Sequence, residues 1–176
     1  MTTKKMTHVL MMALCAVALL ATPGCRSGKG GGGYKEVPIE DTFRTDIDNP
    51  LPGVDFTTYP RVEGVNFTPV YFAYDNYNIP AAENHKIDSV VTYMNANANV
   101  VLVIEGHCDE RGTIEYNLSL GEYRSQSVRT YMNNVGISPS RIQTVSYGKE
   151  RPAVQGSGES AWSKNRRAEF ALYRAK

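Results

Sequence analysis

Five consecutive apolar residues, Val100 to Ile104 (VVLVI), are the feature that most limits how this chain can fold. A strand that is apolar at every position, rather than at alternate ones, leaves no face for water. It must be a central strand with a covering layer on both sides. The flanking segments predict those layers. Val70 to Tyr74 (VYFAY) is rich in β-branched and aromatic residues and reads as a strand. Asp75 to Asn78 forms a turn, and Pro80 suits the first turn of a helix. Residues 81–95 set Ile87, Val90, Val91 and Met94 at helical spacing. Gly106 to Asn117 reads as a polar loop, and residues 118–135 as a second helix closed by Gly136. Arg141 to Tyr147 alternates as a strand, Gly148 to Asn165 is a long loop, and Arg167 to Tyr173 is a last strand. The order β-α-β-α-β-β predicts an α+β sandwich, with helices packed on one face of a mixed sheet.

The segment before Pro69 reads differently. Lys4 and Lys5 precede a 12-residue apolar run, Val9 to Leu20. That is short of the roughly 20 residues of a membrane span. Ala21-Thr22-Pro23-Gly24-Cys25 follows, small residues ending in cysteine, as in a secretory signal of the lipoprotein type. The expectation is cleavage after Gly24 and a diacylglycerol on the Cys25 thiol. Removing residues 1–24 takes out two lysines and no acid, so the net charge of +1 becomes −1. A near-neutral chain without a basic run is not expected to bind nucleic acid. Glycines 30–33 suit a flexible leash, and residues 34–66 show no sustained period of 2 or 3.6. Residues 25–66 are therefore expected to form a lipidated, extended tether, with the domain occupying 67–176.

One charge stands out within the domain. Leu120, Val128, Tyr131, Met132 and Val135 form the apolar stripe of the second helix, and Arg124 falls on that stripe. A guanidinium facing a core is costly unless it meets an anion. Asp109 lies beyond the C-terminal end of the buried strand, where ligands bind in α/β sheets. The two residues are expected to face each other across a cleft. Spacing leaves two readings open: a structural ion pair, or a pair split by a zwitterionic ligand whose ammonium meets Asp109 and whose carboxylate meets Arg124.

Other constellations are weaker. His107-Cys108-Asp109-Glu110 holds four ligand types, but consecutive side chains cannot all point at one ion, so no metal is expected. The three cysteines, at positions 15, 25 and 108, lack paired spacing. Cys108 is expected as a free thiol, with some risk of intermolecular bridging in an oxidising compartment. No nucleophile–base set or cofactor motif is recognisable, so neither an enzyme nor a cofactor is expected.

Several blocks then carry a resemblance: Ile104 to Thr113 (IEGHCDERGT), Glu115 to Arg124 (EYNLSLGEYR), Val145 to Pro152 (VSYGKERP) and Ser163 to Arg167 (SKNRR). Together they strongly resemble the OmpA-like C-terminal domain family and, within it, the peptidoglycan-associated lipoproteins. The resemblance runs from about Val70 to Tyr173. It implies a domain that grips peptidoglycan non-covalently through the meso-diaminopimelate of the stem peptide. Asp109 matches the acid that holds the ligand's ammonium, and Arg124 the arginine that holds its carboxylate. Phe72, Ala73, Tyr74 and Asp75 match the strand end lining the same pocket, while Asn117, Leu120 and Arg166 match positions around it. The resemblance further implies the Tol-Pal system, a TolB-like competing partner, and a place in the outer membrane facing the periplasm. Arg26 after the lipid cysteine, where aspartate would retain the protein in the inner membrane, agrees with that sorting. Departures occur at Cys108, usually Ala or Thr, at Ala73, often an acid, and at Ile114, often Pro. Two other functions fit less well: a wall anchor for a different envelope complex, and a wall-modifying hydrolase.

Overall fold

The computed structural model describes residues 55–175. The signal segment, Cys25 and residues 25–54 of the expected tether lie outside the described residues. Four strands form one sheet: β1 (Val70–Tyr71), β2 (Val100–His107), β3 (Ile142–Gly148) and β4 (Arg167–Arg174). Three α-helices connect them: α1 (Asn84–Ala96), α2 (Ile114–Asn134) and α3 (Glu159–Asn165). The sheet order is β1-β4-β2-β3, with β2 parallel to β3 and β4 antiparallel to both β1 and β2. This is the mixed sheet of an α+β fold, as the element order predicts.

The apolar run sits where its composition requires. β2 pairs with β4 on one side and with β3 on the other. Alternate β2 residues divide between two cores. Val100, Leu102 and Ile104 join Ile87, Val90 and Met94 of α1 and Val128 and Met132 of α2. Val101 and Val103 instead join Phe56, Ala171 and Tyr173 on the face away from these helices. Each fully buried aliphatic side chain contributes about 1.5–3 kcal/mol of transfer free energy, so β2 anchors both layers.

Part of the cover over the second face comes from before residue 67, the expected start of the domain. Phe56 is 2% exposed and lies in a short 3₁₀ turn, Phe56–Thr58, capped by the Asp55 side chain. Its amide donates to Gln143 Oε1, and Arg61 bridges Tyr173 of β4. The packed region thus extends back to Asp55. Aromatic residues scattered through a proline-rich stretch have no period of 2 or 3.6, so periodicity gives no sign of this packing.

Three boundaries also differ. The first strand stops at Tyr71, and two residues after the buried Phe72 the chain supplies Tyr74 and Asp75 to a pocket. The loop expected over 106–117 shrinks to Cys108–Thr113, since β2 continues to His107 and α2 begins at Ile114. Thr113 caps α2 by accepting from the Tyr116 amide at 3.2 Å. Ile114 therefore occupies the first helical position, where proline would be equally at home. Finally, the expected loop over 148–165 contains α3. Gly136 ends α2 with φ +100°, as expected, whereas Val135 is exposed rather than on the buried stripe.

α2 lies very close to β2. A Cβ added to Gly106 would stand 1.9 Å from the Gly121 carbonyl oxygen, and one added to Gly121 would stand 2.3 Å from Ser146 Oγ. Two glycines at this crossing set the height of the helix above the sheet, and Arg124 lies one turn further along it.

Candidate functional site

A pocket enclosing about 320 Å³, part of it open to solvent, lies between the end of β2, the start of α2 and the chain after β1. Asp109, Arg124, Tyr74, Asp75, Asn117 and Leu120 all line it. The other nominated residues stand behind it. The Phe72 ring lies under the Arg124 guanidinium at 5.3 Å, Ala73 presents its carbonyl to that group, and Arg166 holds Asp109 from the rear.

Asp109 and Arg124 line one pocket, and neither accepts from nor donates to the other. Arg124 is 1% exposed and spends its donors on backbone carbonyls. Nε donates to Asn76 O at 2.9 Å, Nη1 to His107 O at 2.8 Å and Nη2 to Ala73 O at 3.3 Å. Nη1 also reaches Cys108 Sγ at 3.4 Å. The anion that the buried stripe called for is thus a ring of carbonyl dipoles, which ties the chain after β1 to the ends of β2 and α2. Burial pulls the Arg124 pKa down, while Cys108 and Asp109 act the other way.

Asp109 is held by two other arginines. Its Oδ1 accepts from the Arg111 amide and Nε, both at 3.1 Å, and its Oδ2 from Arg111 Nη2 at 2.6 Å and Arg166 Nη1 at 3.4 Å. Burial alone would raise the carboxyl's pKa. The Arg111 bonds outweigh burial, with Arg166 adding to them, and hold it below its ordinary value. Arg166 Nε donates to Phe72 O at 3.1 Å, and its other amino group meets Glu159 of α3. The helix hidden in the expected loop therefore supports the pocket acid through one arginine.

Sequence reasoning missed Arg111. Its guanidinium lies 3.9 Å from the Tyr74 ring centroid and 4.0 Å from that of Trp162, stacked between them over the pocket mouth. No periodic pattern points to a loop residue, so only its place two positions after Asp109 could have drawn notice. Tyr116 and Gly112 also line the pocket, and the Tyr116 hydroxyl donates to Asp75. Asp75 has φ +52°, a left-handed conformation that aspartate tolerates better than most residues. Asn117 holds the short loop by donating to the Arg111 and Thr113 carbonyls at 2.8 and 2.9 Å.

Cys108 is 2% exposed and donates to the Asn117 carbonyl at 3.3 Å. Burial pushes its pKa up to about 11, so it stays a protonated thiol at neutral pH. Burial and protonation both act against the expected intermolecular bridging in the folded domain, because the accessible thiolate is the reactive form.

The OmpA family model matches residues 71–166, from the end of β1 to the start of β4. The chain belongs to the OmpA family. Among curated members, the peptidoglycan-associated lipoprotein of Pasteurella multocida is 36% identical over 173 residues, covering 96% of this chain and 99% of that protein. That of Haemophilus influenzae is 43% identical over 105 residues, covering 60% and 69%. The crystal structure of the peptidoglycan-associated lipoprotein from Burkholderia pseudomallei superposes with a TM-score of 0.58 at 35% identity, over 59% of this chain and 88% of that one. Within this OmpA-family domain, no described helix is long and apolar enough to cross a membrane.

Proposed function

We propose that this protein is a non-covalent tether between the outer membrane and the cell wall. A lipid on Cys25 fastens one end, and the pocket around Asp109 and Arg124 grips the diaminopimelate of a peptidoglycan stem peptide at the other. The observation that carries this reading is that one small pocket is lined by a buried carboxylate and a buried guanidinium that do not neutralise each other. Such a pair suits a ligand bearing both charges on one carbon. Four of the five Arg124 N–H groups meet protein acceptors, and the fifth is assigned to the ligand's carboxylate. The ligand's ammonium takes the place of Arg111, the more exposed of the two guanidiniums on Asp109.

The names of the relatives support a protein associated with peptidoglycan rather than one that catalyses a reaction. The proposed setting is the Tol-Pal system, with a TolB-like protein as a competing partner and roles in envelope integrity and cell division. Incubating the purified protein with isolated sacculi tests the core of the proposal. The expected result is that the wild type pellets with the sacculi and releases no soluble fragments, while Asp109→Ala and Arg124→Ala remain in the supernatant. Fragment release would point to a hydrolase instead. Normal pelleting of both variants would refute the site.

A further inference from the structure

The sheet face opposite the pocket carries a second polar cluster. The register of β2 and β4 sets Glu105 directly opposite Glu169, and His107 lies two residues along β2 on the same face. Their ligating atoms all lie within 4.8 Å of one another. We propose that Glu105, His107 and Glu169 form a binding site for one divalent transition-metal ion of the zinc type.

Three features of the cluster support this reading. Like charges directly opposite in an antiparallel pair repel, and these two occupy one rung. Burial and then Glu169 push the Glu105 pKa up, against Arg61, Arg151 and Arg167. The strongest observation is His107. The residue is 2% exposed, yet neither ring nitrogen has a hydrogen-bond partner. Buried polar groups are almost always satisfied, so such a ring calls for a ligand. Burial and nearby arginines hold its pKa down to about 4, while the Arg151 backbone near it raises basicity only slightly. The ring is therefore neutral, with a lone pair to give. The surrounding arginines offset the carboxylates, and Arg167 Nε donates to Glu169 Oε1 at 2.5 Å. Their guanidiniums donate nothing to the imidazole.

The donor set selects the class of ion. Imidazole with carboxylates suits zinc and its neighbours, whereas calcium and magnesium take oxygen ligands alone. Bond lengths of about 2.0–2.2 Å require the three atoms to draw together by roughly 1 Å, within reach of side-chain rotation. The Glu169 side chain is 38% exposed, which leaves an entry route and room for a water as fourth ligand. The expectation of no metal rested on the consecutive run 107–110. Strand pairing, invisible in that run, is what brings Glu169 to His107.

The test is calorimetric titration of the chelator-treated full chain in detergent with Zn²⁺ alone. Co²⁺ substitution reads the coordination geometry by visible absorption. The expected result is one bound ion per chain, at least tenfold weaker in Glu105→Gln and in Glu169→Gln, and unchanged in His85→Ala, whose histidine is exposed elsewhere. These carboxamide variants keep the test valid should His107→Gln fail to fold. No stoichiometric binding by the wild type, or equal binding by both carboxamide variants, would overturn the site.

Discussion

Replacing Arg124 by alanine is expected to lower folding stability by about 3–5 kcal/mol and to abolish wall binding. The size follows from what the guanidinium holds. Three backbone carbonyls, from Asn76, His107 and Ala73, accept from it. An acceptor left unsatisfied in a buried place costs about 1–3 kcal/mol, and water entering from the pocket recovers part of that. The loss is a large share of an ordinary domain's 5–15 kcal/mol. Arg124→Lys separates the two roles. It keeps the charge but cannot serve three divergent carbonyls and a ligand together, because an ammonium has three donors and no planar fork. We expect urea unfolding to show a smaller loss for lysine than for alanine, with sacculus binding weakened at least tenfold. Wild-type stability in Arg124→Ala would show that the carbonyl ring is not held by this residue.

The second large effect is expected at Gly106. Alanine there would put its Cβ 1.9 Å from the Gly121 carbonyl oxygen, a backbone atom on a helix that cannot rotate away. α2 must lift from β2, loosening Leu120, Val128 and Met132. Overpacking of this kind costs about 3 kcal/mol, a fall in Tm of roughly 10–15 °C for a domain of this size. The displacement also carries Arg124 away from its carbonyls, so binding should fall with stability. Calorimetric melting of Gly106→Ala beside Gly136→Ala makes the contrast. Gly136 has nothing within 4 Å of an added Cβ, so strain at φ +100° is its only cost, and its variant should lose less and keep the pocket. A Gly106→Ala variant with wild-type Tm would mean that the crossing is looser than its geometry.

The parts of the fold that were legible in the sequence are those with a period or a long apolar run. VVLVI announced a doubly covered strand, and the Leu120–Val128–Met132 spacing announced the helix face above it. Arg124 was legible as a charge that had to be answered. What answered it was not, because backbone carbonyls carry no letter in a sequence. The same reason hid Phe56, whose burial depends on a long-range docking against β2 and β4. It also hid α3, seven residues long in a glycine-rich stretch. Asp109 was found from its place at a strand end, but its partners Arg111 and Arg166 lie on a loop and at the start of β4. Only the folded chain brings them together. Glu105 and Glu169 are 64 positions apart in the numbering, and strand register alone makes them neighbours.

The central claim is that the pocket divides a zwitterion between Asp109 and Arg124. Calorimetric titration with two soluble stem peptides tests it most directly, one containing meso-diaminopimelate and the other lysine at the same position. The lysine peptide keeps the ammonium and lacks only the carboxylate assigned to Arg124. A charge-assisted hydrogen bond of about 1.5–3 kcal/mol corresponds to a loss of roughly tenfold or more in affinity. The expected result is clear binding of the diaminopimelate peptide and at least tenfold weaker binding of the lysine peptide. Equal affinity for the two peptides would contradict the division of charge on which the proposed tether rests.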